Sequence, residues 1–336
     1  MMWMRKLLFP FAAIYFLVTL TRNWCYKIGL FRSTSYSFPV ICIGNLNTGG
    51  TGKSPMTEYL IRLLQDQYKT TILSRGYGRK TKGYIQLSSE NMAIEVGDEP
   101  LQFAKKFPNA TVVVCEDRRD GIERITKTLG EPEVLLLDDA FQHRAVEAGF
   151  SILLTTYGDL YVDDYLLPAG NLREPRSGSK RANLIVVTKC PSHLSLTDQQ
   201  DLTRRMGAQY DQEVFFATIS YAAFVHGDLK RSISDLKGVE IKVLTGIANP
   251  TPFIAHLKAE GLDFEHIAFG DHHNYTSREI QELDTEGVIL TTEKDYVRLE
   301  GQFKKAQLYY LPIETQLLNK ADLFNSKILN FVSSLS

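Results

Sequence analysis

The chain has 336 residues, of which 44% are hydrophobic and 23% charged, and its formal net charge is −1. That length exceeds one ordinary core and predicts two α/β units. The even charge balance gives no reason to expect nucleic acid as a partner, and the composition excludes a disordered chain. Nothing in it calls for an obligate protein partner. Cys25, Cys42, Cys115 and Cys190 stand at no metal-ligand spacing and are read as four reduced thiols.

Residues 7–20, LLFPFAAIYFLVTL, are nearly all apolar, with Arg5 and Lys6 before them and Arg22 after. Fourteen residues fall short of the roughly 20 needed to span a bilayer. A signal peptide has a similar shape, but no small-x-small cleavage site follows. A buried core helix is the plainer alternative. The favoured reading is a helix lying in one leaflet, with Trp3, Tyr15 and Trp24 at the headgroups. Lys27 and Arg32 would add attraction to anionic lipid.

Residues 38–43 read as a buried strand, followed by a Gly-rich loop and then a helix. In that helix Met56, Tyr59, Leu60, Leu63 and Leu64 share one face. Further short apolar runs at 71–73, 111–115, 134–137, 152–155 and 184–187 alternate with helical stretches. This rhythm predicts a mostly parallel sheet with helices on both faces. Past residue 210 the pattern changes: 214–219 and 222–225 look like adjacent strands of a connecting ribbon. A second α/β series follows, with strands at 241–244, 264–268, 288–290 and 308–311. A last helix places Ala321, Phe324, Ile328, Phe331 and Leu335 on one face. The expected division is a membrane-associated helix over 1–30, a phosphate-loop domain over 31–212, a β-ribbon linker over 213–235 and a smaller α/β domain over 236–336.

Residues 44–55 read GNLNTGGTGKSP between a strand and a helix. Glycines let a backbone wrap round phosphates with its N–H groups turned inward, and the helix N-terminus adds partial positive charge. The cradle would comprise Asn47, Thr48, Gly49, Gly50, Thr51, Gly52, Lys53 and Ser54. Lys53 would reach the β- and γ-phosphates, and Ser54 would ligate Mg²⁺. Asn47 departs from the usual motif, which begins with Gly. The fold is therefore expected to be of the P-loop NTPase type, with ATP and Mg²⁺ as ligands.

Residues 134–139, VLLLDD, form an apolar strand ending in two carboxylates. Ligands sit at strand ends in such sheets, so Asp138 or Asp139 could hold Mg²⁺ opposite Ser54. His143 follows closely enough for a supporting or phosphate-facing role. Residues 187–190 read VTKC, without the Asn and Asp of a guanine-reading motif.

Further segments occur in a fixed order: SRGYGRK (74–80), VGDEP (96–100), EDRRDG (116–121), LDDAFQHR (137–144), LPAGNLREP (167–175), FGDHHNY (269–275) and LTTEKD (290–295). With the phosphate loop and the apolar N-terminus, the ordered set resembles the tetraacyldisaccharide 4′-kinases of lipid A synthesis. The resemblance implies transfer of the ATP γ-phosphate to the 4′-hydroxyl of a tetraacylated glucosamine disaccharide 1-phosphate. It implies a place at the membrane surface, on the cytoplasmic face of the bacterial inner membrane. It also implies that Asp98 is the base and that His272 orients it or shares its proton. From spacing alone Asp98 reads equally as a helix N-cap. Arg173 and Glu174 look like substrate or nucleotide contacts; Arg75, Arg118 and Arg119 are looser candidates. Two other readings stay open on sequence: a soluble small-molecule kinase or ligase, and a membrane-bound nucleotide switch.

Overall fold

The computed structural model describes residue 5, residues 7–88 and residues 90–335. Met1–Met4, Lys6, Ser89 and Ser336 lie outside the described residues, and with them Trp3 and the second of the two basic residues before the apolar segment.

The first sheet has nine strands. Eight come from the first two-thirds of the chain: β1 (Val40–Asn45), β2 (Thr70–Ser74), β3 (Ile85–Gln86), β4 (Thr111–Val114), β5 (Val134–Asp138), β6 (Phe150–Thr156), β7 (Leu184–Thr188) and β8 (Glu213–Tyr221). The ninth, β15 (Ile313–Leu317), comes from near the C-terminus, and the order is β15-β8-β7-β6-β1-β5-β2-β4-β3. All pairings are parallel except at the two edges, β15 on β8 and β3 on β4. A parallel sheet must be covered on both faces, which explains why every residue of β1 is buried. Strand side chains alternate between faces. Val40 and Cys42 accordingly join one core with Leu135 and Leu137, while Ile41 and Ile43 join the other with Leu136.

The Lys53–Leu64 helix covers the second face with Met56, Leu60, Ile61 and Leu64, all fully buried. Each such side chain contributes about 1.5–3 kcal/mol. Tyr59 and Leu63 flank the stripe half-buried rather than central.

The second sheet has six strands, β9 (Phe224–Gly227), β10 (Arg231–Ser232), β11 (Ile241–Thr245), β12 (Glu265–Ala268), β13 (Val288–Thr292) and β14 (Gln307–Leu311). Their order is β10-β9-β14-β13-β11-β12, parallel from β14 to β12.

Two expectations about these segments are corrected. The strands expected at 214–219 and 222–225 do not pair with each other. β8 pairs with β7 and β15, whereas β9 pairs with β14 and β10. The ribbon between the sheets therefore has one strand from 213–227 and the other from 307–317. Residues 236–336 also do not stay together. The Ala321–Ser333 helix returns to the first sheet, where Phe324, Ile328 and Val332 complete the core under Ile41 and Leu60. Its buried face uses Val332 in place of Leu335, which is exposed. Tyr59 Oη fastens it by donating to Asn325 Oδ1 at 2.8 Å.

The apolar N-terminal segment is a helix, Phe9–Lys27. Among the described residues no helix is long and apolar enough to cross a membrane. One face of this helix is tied to the body: Ala12, Thr19 and Cys25 are buried. Arg22 Nη2 donates to Gln142 O at 2.6 Å, and Asn23 Nδ2 reaches Glu174 Oε2 at 3.5 Å. Tyr15 belongs to this inner face, since its hydroxyl donates to Arg173 O at 2.8 Å. That corrects its expected headgroup position. The outer face carries Phe11, Ile14, Leu17, Val18 and Trp24, each more than half exposed.

Candidate active site at the phosphate loop

The loop after β1 is held open by other parts of the chain. Thr48 N donates to Asn171 O and Arg173 N to Leu46 O, each at 2.7 Å, so residues 171–173 strap its first half. Thr188 Oγ1 donates to Thr51 O at 2.8 Å and Lys189 Nζ to Gly50 O at 2.6 Å, which brace its second half. Gly52 has φ 82°, a left-handed conformation that glycine adopts without strain, and it starts the Lys53–Leu64 helix. Asn47 sends its amide away from the cradle, donating to Asp164 Oδ2 at 3.1 Å. Its side chain serves the strap; its backbone remains in the loop.

Lys53 Nζ lies 3.8 Å from Asp139 Oδ1 and donates to Asn45 Oδ1 at 3.4 Å. Ser54 Oγ donates to Glu99 Oε1 at 2.7 Å. The two carboxylates at the end of β5 diverge. Asp138 turns toward the helix side, accepting from Ser74 Oγ at 3.0 Å and Thr57 Oγ1 at 3.5 Å. Asp139, with φ 45°, turns to Lys53 and to Arg173 Nη2 at 2.8 Å. Burial, then the charges of Glu99 and Asp139, push Asp138 up to about 7. Burial also raises Asp139, but the charges of Lys53 and Arg173 outweigh it and hold that carboxyl below its ordinary value. The pocket thus carries one carboxyl poised to ionise and one already ionised.

Asp98 opens the Asp98–Lys106 helix, and the second sheet delivers its partners. His272 Nδ1 lies 3.1 Å from Asp98 Oδ2, and Arg298 Nε donates to Asp98 Oδ1 at 2.9 Å, with Arg298 Nη2 on the other oxygen. Arg298 Nη2 also stands 2.8 Å from His272 Nδ1. A ring nitrogen that accepts from Arg298 cannot donate to Asp98, so the two His272 contacts are alternatives set by its tautomer. Burial raises the Asp98 carboxyl, yet Arg298 and then His272 outweigh this and leave it below its ordinary value. Gly97 before it has φ 92°, and a Cβ there would come within 2.9 Å of Tyr77 O. His273 points elsewhere, to Glu279 at 3.1 Å.

Several expected residues lie outside this cleft's contacts. Glu174 is buried and accepts from Arg181 Nη2 at 2.8 Å and Gln142 Nε2 at 2.9 Å. His143 Nε2 accepts from Arg118 N at 3.3 Å and lies 3.5 Å from Asp117. Through these contacts both hold neighbouring segments together. Arg118 is also buried, with Nη2 donating to the backbone oxygen of Asp138 at 3.1 Å. Arg119 follows the Asp117 cap, and Arg75 is exposed. All four cysteines are buried and free.

Sequence reasoning assigned no role to Glu99, Lys294 or Arg298. Lys294 Nζ donates to Glu99 Oε1 at 2.6 Å, across 195 residues of sequence. The signal was present: Glu99 stands in the VGDEP segment and Lys294 in LTTEKD.

A loop with an ammonium and a hydroxyl beside two carboxylates, its hydroxyl bonded to the residue that follows a third carboxylate, suits phosphoryl transfer to a hydroxyl. The sequence pattern of the tetraacyldisaccharide-1-P 4′-kinases matches residues 4–333. The chain belongs to this kinase family. It is 46% identical over 334 residues to the tetraacyldisaccharide 4′-kinase of Flavobacterium johnsoniae, covering 98% of this chain and 97% of that one. The tetraacyldisaccharide 4′-kinase of Bacteroides thetaiotaomicron is 40% identical, with 97% and 93% covered. The crystal structure of LpxK from Aquifex aeolicus in complex with ATP matches with a TM-score of 0.81 at 30% identity, covering 98% of this chain and 99% of that chain. Membership makes this kinase an ATP-dependent enzyme of lipid A biosynthesis and removes the nucleotide-switch reading.

Proposed function

We propose that the chain carries out its family's 4′-phosphorylation with the cradle of residues 47–54 on the triphosphate and Asp98 on the acceptor hydroxyl. The observation that carries this division is the Glu99 contact. Asp98 and Glu99 are consecutive, and Glu99 accepts from Ser54 of the phosphate loop, so the base stands next to the loop. The acceptor is the 4′-hydroxyl of a tetraacylated glucosamine disaccharide 1-phosphate. Lys53 and the loop amides bind the β- and γ-phosphates. Arg173 orients Asp139 and Lys53 from behind.

Mg²⁺ fits the donors at this position. Ser54 and Asp138 present hard oxygen atoms, and a cation would offset the burial and the neighbouring charges of Glu99 and Asp139 that raise Asp138. Among the described residues no group of three or more His, Cys, Asp or Glu side chains is placed to hold a metal by itself. Mg²⁺ binds through one or two carboxylates with phosphate and water, so it requires no such group. When bound it would neutralise phosphate charge; Asp138 and Ser54 would hold it, with Asp139 kept on Lys53 and Arg173. The test is incubation with Mg-ATP and the acylated disaccharide 1-phosphate. A gain of one phosphate in the mass of the lipid supports the reading; unchanged mass refutes it.

The outer face of the Phe9–Lys27 helix supports peripheral attachment to the cytoplasmic face of the inner membrane. Its exposed apolar side chains lie over a tied inner face, as in interfacial helices. Phe11→Ser, Leu17→Ser and Val18→Ser together are expected to weaken sedimentation with anionic vesicles about 10-fold or more, since burying such side chains is worth at least a few kcal/mol. Undiminished sedimentation would place the contact elsewhere.

A further inference from the structure

The Glu293–Leu299 helix of the second sheet lies against the Asp98–Lys106 helix of the first, and oppositely charged side chains meet along them. Glu293 meets Lys106 at 2.6 Å, Lys294 meets Glu99 at 2.6 Å, Arg298 meets Asp98, and Glu300 just beyond meets Lys105. Three of these pairs are explained as docking. Lys106 is shared between Glu293 and Glu58, Arg298 is almost fully buried against Asp98 and Asp295, and Lys105–Glu300 lies at the rim.

The Lys294 pair differs in position. Its Glu99 oxygen is the one that accepts from Ser54, so a single carboxylate oxygen links the ammonium to the phosphate loop. Its side chain is 36% exposed, which leaves it room to change partners. Burial opposes its charge, but Glu99, Asp98 and Asp138 outweigh burial and keep it ionised. Lys189, on the far side of the loop, is disfavoured as a cation first by burial and then by Lys294 and Lys53. Three ammonium groups therefore act on one another around the phosphate loop, and an arriving phosphate would relieve that repulsion.

We propose that Lys294 is a further phosphoryl-binding catalytic residue, delivered from the second sheet to the terminal phosphate of the nucleotide. Glu99 holds it in the unliganded molecule. The incoming γ-phosphate takes its place as the ammonium's partner, and Lys294 neutralises charge on the transferred group. No proton or bond changes hands in this exchange. It also makes phosphate binding depend on how the second sheet docks, so the cradle is complete when both sheets meet.

The inference rests on the kinase reading of the phosphate loop, which turnover of the unsubstituted enzyme reports separately. The test compares Lys294→Gln and Lys294→Arg with the parent, reading turnover and the affinities for ATP and ADP. ADP lacks the γ-phosphate, so its binding reports an intact loop without the proposed contact. Lys294→Gln is expected to lower kcat by about 100- to 1,000-fold, the scale of one lost transition-state donor. It should also reduce the ATP:ADP affinity ratio about 10-fold or more while ADP affinity holds, and Lys294→Arg should recover a large part of both. Turnover within about 3-fold of the parent overturns the proposal. So does an equal loss of ATP and ADP affinity, which marks Lys294 as a docking residue alone.

Discussion

Replacing Asp98 by alanine is expected to lower turnover by about 100-fold or more while ATP remains bound, as general-base loss does. Asp98 touches none of the cradle residues 47–54; its partners are Arg298 and His272. Nucleotide affinity therefore has no reason to fall. A carboxylate held below its ordinary value is a modest base, but a loose phosphoryl transfer asks for the proton late, once the acceptor oxygen has begun to bond to phosphorus. His272 can then share the charge. His272→Ala should also impair turnover, and the double variant should cost less than the two losses combined, because both act on one proton. Full additivity would dissolve the pair. The acid side of the pH–rate profile tests the Arg298 contact. Activity needs Asp98 ionised, so it is lost as pH falls through the folded value, which lies below the ordinary carboxylate range. Arg298→Met removes the largest lowering influence and leaves burial, so that limb should move to higher pH. A limb that stays in place would separate Asp98 from the titration.

Replacing Lys53 by methionine is expected to have the larger effect, on the order of 1,000-fold or more in kcat/KM, since the charged donor that is lost is largely buried. Lys53 now rests between Asp139 at 3.8 Å and Asn45 at 3.4 Å. Both contacts are long, so an arriving phosphate competes for the ammonium against weak partners. Without it Asp139 keeps Arg173 but faces the triphosphate with less compensation. Affinity for ATP and ADP should fall together, in contrast to Lys294, because Lys53 reaches the β-phosphate as well as the γ-phosphate. Isothermal titration with both nucleotides reads this. Parent-like ADP affinity in Lys53→Met would move Lys53 out of the cradle.

Sequence pattern located the phosphate loop because strand, glycines, lysine and helix are contiguous, over residues 40–64. Period-2 and period-3.6 patterns located most strands and the final helix for the same reason: they mark which face is buried. They do not say against what. The Ala321–Ser333 helix carries an apolar stripe that would suit either sheet, and its return to the first was invisible. Tyr15 could face lipid or protein on periodicity alone, and the oxygen of Arg173 decides it. The charged pairs Glu99–Lys294 and Asp98–Arg298 join residues 195 and 200 positions apart and leave no local pattern. Glu174 and His143 stand beside motif residues in sequence, and that placement does not foretell their partners, Arg181 and Gln142 for the one and Arg118 N for the other.

The return of the C-terminal helix has a consequence for how this protein is made. The first sheet lacks β15 and the helix carrying Phe324, Ile328 and Val332 until residues 313–333 have left the ribosome. The second sheet, enclosed between β8 and β15 in the chain, has all its strands by residue 311. Domains of a nascent chain fold as their residues emerge. Here the inserted body can close first, while the phosphate-loop body waits with Leu60 and Ile41 short of their partners. A chain truncated by a few residues before Phe324 would therefore present an open apolar face, and loss of solubility during synthesis is its expected fate.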